Sequence, residues 1–210
     1  MVVFCQSDVF WNNISEKSVS GDDIAEYIYS LDYLNIQNPT ECCEIENEYN
    51  TDLIRYFFEV EKYQTEEEYK EIFFQGVLDG DIDKKEYYAA ESAFKNLINI
   101  LSEKSKVYVY YEFLAPIDKN SPFHNSSDVD FDFEFVKSNQ GNFFQIVDKF
   151  KLEQISILFA REIVSGYLIF DNIKSVLVCS GMHGYILSAE EPDRKLLDDI
   201  SSQVRIEKVY

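Results

Sequence analysis

The segment KVYVYYEFLA, residues 106–115, marks a change in the apolar pattern along this chain. It is rich in β-branched and aromatic residues, which favour a strand. Before it, apolar residues recur at helical spacing, and after it they mostly alternate or form short runs typical of strands. Because the two patterns occupy separate halves, the sequence predicts an α+β fold. We expect one domain over 1–210, with helices over about 21–104 packed on a mainly antiparallel sheet from about 105–210.

Four helices are predicted in the first half. Each carries apolar residues three or four apart. Thr65 and Glu68 have the spacing of a capping box at the start of the third helix. The four segments are DDIAEYIYSLDYL (22–34), TDLIRYFFEVEKY (51–63), residues 65–77 and residues 85–102.

The second half is predicted to be mostly strand. The segment SGMHG, residues 180–184, indicates a tight turn between two of the strands. Helices are also expected over 141–150 and 190–203, with short strands at 2–5 and 204–210. The remaining predicted strands are KVYVYYEFLA, VDFDFEFV (129–136), ISILFA (155–160), YLIF (167–170), SVLVCS (175–180) and YILSA (185–189).

The charge excludes two classes of partner. With 39 acidic and 19 basic residues the chain has a formal charge of −20, which repels nucleic acid and acidic membranes. The chain is 46% hydrophobic and 16% aromatic, enough for a folded core. It has neither a secretion-signal pattern nor a membrane-spanning run, so we expect a cytoplasmic protein. Its cysteines, Cys5, Cys42, Cys43 and Cys179, are then expected to be reduced.

The excess charge is concentrated in one third of the chain. Residues 21–91 hold 20 acids and 5 bases, and between residues 41 and 71 only Arg55, Lys62 and Lys70 are basic. Such a segment is either a solvated surface or a field of one sign that steers a basic partner. Tyrosines interleave with these acids, and tyrosine is common in protein interfaces. The candidate contact residues are Glu44, Glu46, Glu48, Tyr49, Asp52, Tyr56, Glu59, Tyr63, Glu66, Glu67, Glu71, Asp130 and Asp132.

Two carboxylate clusters leave metal binding open. Asp128, Asp130, Asp132 and Glu134 would share one side of the strand predicted at 129–136, as a solvent face, a contact surface for a basic partner, or a Mg²⁺ or Ca²⁺ site. Asp79, Asp81 and Asp83 resemble the start of an EF-hand loop. That loop needs Gly at its sixth position and Glu at its twelfth, where this chain has Lys84 and Ala90.

No catalytic or cofactor motif supports an enzyme. The P-loop, dinucleotide-binding and HExxH patterns are missing from the sequence, and neither His124 nor His183 lies in a nucleophile motif. We therefore expect no cofactor and no catalysis.

The acidic, tyrosine-containing stretches ECCEIENEY (41–49) and EVEKYQTEEEY (59–69), in an α+β chain, resemble bacterial immunity proteins of polymorphic-toxin and contact-dependent-inhibition systems. The resemblance implies a stoichiometric inhibitor of a basic toxin, often a nuclease, that occludes its active site or a nearby surface.

The sequence thus predicts a binding protein that neutralises a basic partner, and the resemblance implies that this partner is a toxin domain. We expect it to be a monomer or a weak homodimer. One alternative is a phage-type anti-defence protein whose carboxylates mimic the phosphates of nucleic acid. A second is a carboxylate-based module or enzyme that binds a divalent metal.

Overall fold

The computed structural model describes residues 54–60, 79–81, 83–114 and 131–208, together with Trp11, Ile14 and Val77. The helices in these ranges are α1 Lys84–Lys104, α2 Phe133–Asn139, α3 Lys149–Ala160 and α4 Arg194–Ser201, and one 3₁₀ turn spans Asp171–Ile173. The strands are β1 Ile54–Glu59, β2 Val107–Phe113, β3 Phe144–Ile146, β4 Val164–Phe170, β5 Ser175–Ser180, β6 His183–Ser188 and β7 Arg205–Lys208.

The strands form one antiparallel sheet in the order β3-β2-β4-β5-β6-β1-β7. Six of these seven strands follow residue 105, and the long helix α1 precedes it. This confirms the predicted α+β class and the mainly antiparallel sheet. β7 lies within the short strand predicted at 204–210 and forms one edge of the sheet.

The main core lies between the sheet and a layer of helices. α1 packs against α3 and α4, and α3 contacts β3, β4 and β5. Phe94 of α1 stacks on Phe58 of β1 with 6.2 Å between ring centroids. Side chains that alternate along β2 divide between this core, which takes Val107, Val109 and Tyr111, and the opposite face. We call that opposite face the second face of the sheet.

Several predicted elements are confirmed. α1 extends the helix predicted at 85–102 by one residue at its start, where Asp83 is the cap, and by two residues at its end. β2, β4, β5, β6 and α4 also lie where the sequence predicts strands and a helix. The predicted tight turn is the two-residue connection between β5 and β6, where Gly181 adopts a φ of 61° that suits glycine.

The helix predicted at 51–63 is wrong over β1. Tyr56, Phe58 and Val60 are buried and Phe57 is half-buried, which is the period of a strand. β1 pairs with β6 on one side and β7 on the other. These pairings with segments more than 120 residues away override the apparent helical spacing.

Three further predictions in the second half are wrong. Over 133–136 the strand predicted at 129–136 is replaced by α2, whose N-cap is Asp132. The strand ISILFA lies inside α3, which is buried on nearly every side, so its apolar residues show no helical period. The helix predicted at 141–150 is replaced by β3 and the first residues of α3.

Other predictions fall outside the described residues. They include the helix at 22–34, the strand at 2–5, and the helix at 65–77 except for Val77, which is helical. Cys5, Cys42, Cys43 and His124 lie outside as well. Within the described ranges, no helix has both the length and the apolar character needed to cross a bilayer.

Candidate protein-binding surface

A line of large side chains crosses the second face of the sheet. In the strand register Tyr110 of β2 lies opposite Tyr167 of β4, which lies opposite Val178 of β5. Val178 lies opposite Tyr185 of β6, and Tyr185 opposite Phe57 of β1. We call these five residues the aromatic row. All five are half-buried, so each presents part of its side chain at the surface.

Ring contacts order the aromatic row. Tyr110 and Tyr167 stack with centroids 6.3 Å apart, and Phe57 meets Tyr185 edge-on at 5.7 Å. The Tyr110 hydroxyl donates to Oε1 of Glu112 at 2.9 Å. Tyrosine has few rotatable bonds, so ordering such a surface on binding costs little entropy.

The two sides of the aromatic row differ in character. On one side Tyr108, Ile169, Val176 and Leu187 are buried, and they form a cluster with Trp11 and Ile14. On the other side Ser165 is exposed. The aromatic row therefore lies at the border between a covered apolar cluster and polar surface.

The polar side carries a carboxylate held in place. Glu112 accepts hydrogen bonds from the Tyr110 hydroxyl and from Nε2 of Gln140, the latter at 3.1 Å. A carboxylate fixed beside aromatic rings suits a lysine or arginine of a partner.

Tyr56, predicted as a contact residue on a helix, is instead a core residue of β1. Its side chain is 4% exposed and points to the helical side of the sheet. Only its hydroxyl reaches outward, where it donates to Oε1 of Glu191 at 2.7 Å. The predicted contact through the Tyr56 ring is therefore wrong.

Glu191 connects Tyr56 to Lys208 of β7. Lys208 donates to both oxygens of Glu191, at 3.0 and 2.7 Å. The bonds from Lys208 and Tyr56 lower the pKa of Glu191, whereas burial and the hydrogen bond to Glu191 raise the pKa of Tyr56. The cluster ties β1, β7 and the segment before α4 together at one corner of the sheet.

Asp132 does not lie on a strand face with the neighbouring acids. Its side chain accepts from the backbone N–H of Phe135 at 3.0 Å and lies 3.8 Å from Nζ of Lys151. This arrangement contradicts the predicted strand face for Asp132 and Glu134, because Asp132 caps a helix and Glu134 lies in its first turn, while Asp128 and Asp130 lie outside the described residues. Part of the carboxylate stays at the surface, with the side chain 45% exposed.

One of the three carboxylates predicted to form a loop site at 79–83 caps a helix instead. Asp83 accepts from the backbone N–H groups of Lys85 and Glu86 at 2.9 and 3.1 Å and so caps α1. Among the described residues there is no group of three or more His, Cys, Asp or Glu side chains that could hold a metal ion.

Of the other predicted contact residues, Glu59 alone lies in the part of the chain that the structure describes. Glu59 ends β1 opposite His183 and Arg205 in the register. The following lie outside the described residues: Glu44, Glu46, Glu48, Tyr49, Asp52, Tyr63, Glu66, Glu67, Glu71 and Asp130.

Sequence reasoning missed the aromatic row. The alternation of Tyr108 and Tyr110 in β2 was a usable signal, but the register that aligns five strands cannot be read from the sequence. Comparison with known proteins adds no assignment. No family model, curated protein or solved structure matches this chain.

Proposed function

We propose that this protein is a binding protein that neutralises a basic protein partner in a stoichiometric complex, without catalysis. The role is that of a bacterial immunity protein, with a toxin domain as the partner. The observation that carries the proposal is the aromatic row, which presents parts of Tyr110, Tyr167, Tyr185 and Phe57 on one face of an antiparallel sheet.

The aromatic row has the make-up of an interface centre. Tyrosine is enriched among the residues that contribute most to binding, and such residues work best on a rigid support. Here the support is a ladder of paired strands, with ring contacts at both ends of the row.

The charge supports a basic partner. The stretch 41–71 contains β1, and β1 contributes Phe57 to the aromatic row. The most acidic part of the sequence thus flanks the strand at one end of the row. A field of one sign beside an aromatic surface raises the association rate of an oppositely charged protein.

The test uses two variants and a matched control. Tyr167→Ala with Tyr185→Ala removes the middle of the aromatic row. A second variant carries Glu59→Lys, Glu66→Lys, Glu67→Lys and Glu71→Lys. The control is Phe150→Ala, because Phe150 is an aromatic residue on α3, 55% exposed and on the helical side of the sheet. Thermal melts confirm that each variant is folded.

The wild-type protein is immobilised and exposed to lysate of its own source at about 50 mM salt, where charge attraction is weakly screened. Retained proteins are identified, produced separately and tested for binding and for loss of activity. We expect a basic partner that is inhibited at a 1:1 ratio. The row variant should bind at least about tenfold more weakly and the charge variant should associate more slowly, with the control unchanged.

Two results would overturn the proposal. One is a partner whose activity is unaffected by an equimolar amount of this protein. The other is binding that neither variant changes and that does not weaken as salt is added.

A further inference from the structure

A cavity of about 440 Å³ lies at the end of the molecule where α1 stops. Its walls come from the last turn of α1, the start of β2, the connection from β3 to α3, and Asn172. Its size is within the range of sites that hold small organic molecules. It is separate from the aromatic row, because its β2 and β3 lining is at the opposite end of β2 from Glu112.

The base of the cavity is apolar. Val107, Ile146 and Leu152 line it and are each less than a tenth exposed. Their remaining exposed area is small, so a ligand that enters can cover only a small apolar surface on them.

The rim of the cavity is cationic. Lys104, Lys106 and Lys149 all line it, and all three are exposed. None of the three forms an ion pair with any residue in the described ranges. Of the other basic side chains in those ranges, six are paired with acids, namely Lys95, Lys151, Arg161, Lys174, Arg205 and Lys208, and five are not, namely Lys84, Lys85, Lys137, Arg194 and Lys195.

Two acids also line the rim, and one is already engaged. Oδ1 of Asp148 accepts from the backbone N–H groups of Phe150 and Lys151 at 2.8 and 3.3 Å, as the cap of α3. The second acid is Glu103. Lysines therefore outnumber acids on the rim by three to two, in a chain whose formal charge is −20.

Hydrogen bonds fix one wall before any ligand arrives. The backbone N–H of Lys106 donates to Oδ1 of Asn172 at 2.8 Å, and the backbone N–H of Asn172 donates to Oγ of Ser105 at 2.8 Å. The bond to Oδ1 leaves the Asn172 amide nitrogen as a donor on the cavity wall. The donor is thus preorganised, which lowers the entropic cost of binding.

We infer that this cavity binds a small organic anion, with its phosphate or carboxylate group on the three lysines and a compact apolar body on the base. At physiological ionic strength, charges beyond about 8 Å are largely screened. The anion therefore responds to the nearby lysines more than to the acidic remainder of the chain. This inference is independent of the proposed function, and its failure would leave that function untouched.

The probes are phenyl phosphate and benzoate, with benzyl alcohol as the uncharged comparison. Binding is followed by amide chemical shifts of the full chain. One variant carries Lys104→Gln, Lys106→Gln and Lys149→Gln. The matched control carries Lys84→Gln, Lys85→Gln and Lys195→Gln, three exposed lysines outside the cavity lining.

We expect at least one of the two anions to bind saturably and to shift amides of residues 102–107 and 145–149. Binding should weaken about tenfold or more in the cavity variant, because the modest contributions of three exposed cations add together. In the control it should weaken less than about twofold, because those three lysines lie outside the cavity lining. Whichever anion binds more tightly identifies the ligand group. The inference is overturned if neither anion saturates by about 10 mM, if benzyl alcohol binds equally well, or if both lysine variants weaken binding alike.

Discussion

Glu91 of α1 and Arg161 at the end of α3 form an ion pair inside the helical layer, and breaking it should be costly. Nε of Arg161 donates to Oε2 of Glu91 at 2.6 Å, and Nη2 donates to Oε1 at 3.1 Å. The Arg161 side chain is fully buried and that of Glu91 is 5% exposed. The two parallel bonds join segments 70 residues apart.

The size of the effect follows from this burial. Glu91→Leu leaves a guanidinium without its carboxylate in the interior, and Arg161→Met leaves the reverse. Each change should lower the free energy of unfolding by about 3–5 kcal/mol, a large part of the stability of a typical domain. The double variant removes both charges and fills the space with apolar groups. It should lie within about 2 kcal/mol of the wild type, because such replacements are often neutral.

Urea unfolding of the four proteins gives these values as a double-mutant cycle. A coupling energy of at least about 3 kcal/mol would show that the pair acts as a unit. Glu91→Gln serves as a control of similar shape, since it keeps one acceptor but loses the charge. The reasoning is refuted if each single variant lowers the free energy of unfolding by less than about 1 kcal/mol. It is also refuted if the two effects simply add in the double variant.

Three further changes test other parts of the fold. Gly166→Ala should lower the free energy of unfolding by at least about 2 kcal/mol more than Gly80→Ala, because its new Cβ would clash with the carbonyl oxygen of Tyr110, whereas that of Gly80 meets nothing within 4 Å. Equal costs would contradict this close approach of β4 to β2. Tyr111→Phe removes a buried hydroxyl that donates to the Val136 carbonyl at 2.6 Å and should cost about 1 kcal/mol at neutral pH. Burial raises the pKa of Tyr111, so above pH 10 the unfolded chain loses this proton first and the wild type loses stability as pH rises. The free energy of unfolding of the variant should therefore fall by about 1.4 kcal/mol less per pH unit there. The same slope in both proteins, from urea unfolding measured against pH, would contradict this expectation. Asp83→Ala should lower the free energy of unfolding by about 1 kcal/mol, because it removes the cap of α1, while Asp81→Ala should lower it little. Equal losses in urea unfolding would contradict the capping role of Asp83.

The elements that the sequence predicted well are those with one solvent face. α1 shows a clear apolar stripe because Phe94, Leu97 and Leu101 are buried while residues on the opposite side are exposed. α3 lacks this contrast, because seven of the nine residues at 152–160 are apolar or small and all nine but Glu153 are buried. Its run of Ile, Leu and Phe is equally compatible with a buried strand.

The predictions over β1 and α2 were wrong for different reasons. The acids around β1 and its chance i,i+4 pairs imitate a helix, and the strands that hold it lie at the other end of the chain. Around the start of α2, acids alternate with Phe at residues 131–135, which is the pattern of a strand. The decisive signal was the capping role of Asp132, with Glu134 in the first turn and Lys137 in the last.

The candidate surface was only partly accessible to sequence reasoning. Charge concentration and interleaved tyrosines were visible, but which tyrosines face outward depends on the strand register. Tyr56 and Phe57 are neighbours, yet the strand pleat sends Tyr56 into the core and Phe57 to the second face.

The position of β1 is fixed by what it contacts on the helical side. A one-residue slip of β1 would exchange the faces of all its side chains, moving Phe57 into the core and Tyr56 and Phe58 out of it. The stacking of Phe58 on Phe94 and the bond from Tyr56 to Glu191 both oppose that slip. Core packing therefore sets Phe57 against Tyr185 and completes the aromatic row. β1 lies within the stretch 41–71 of the sequence, so the same contacts also fix the point at which this acidic stretch joins the sheet.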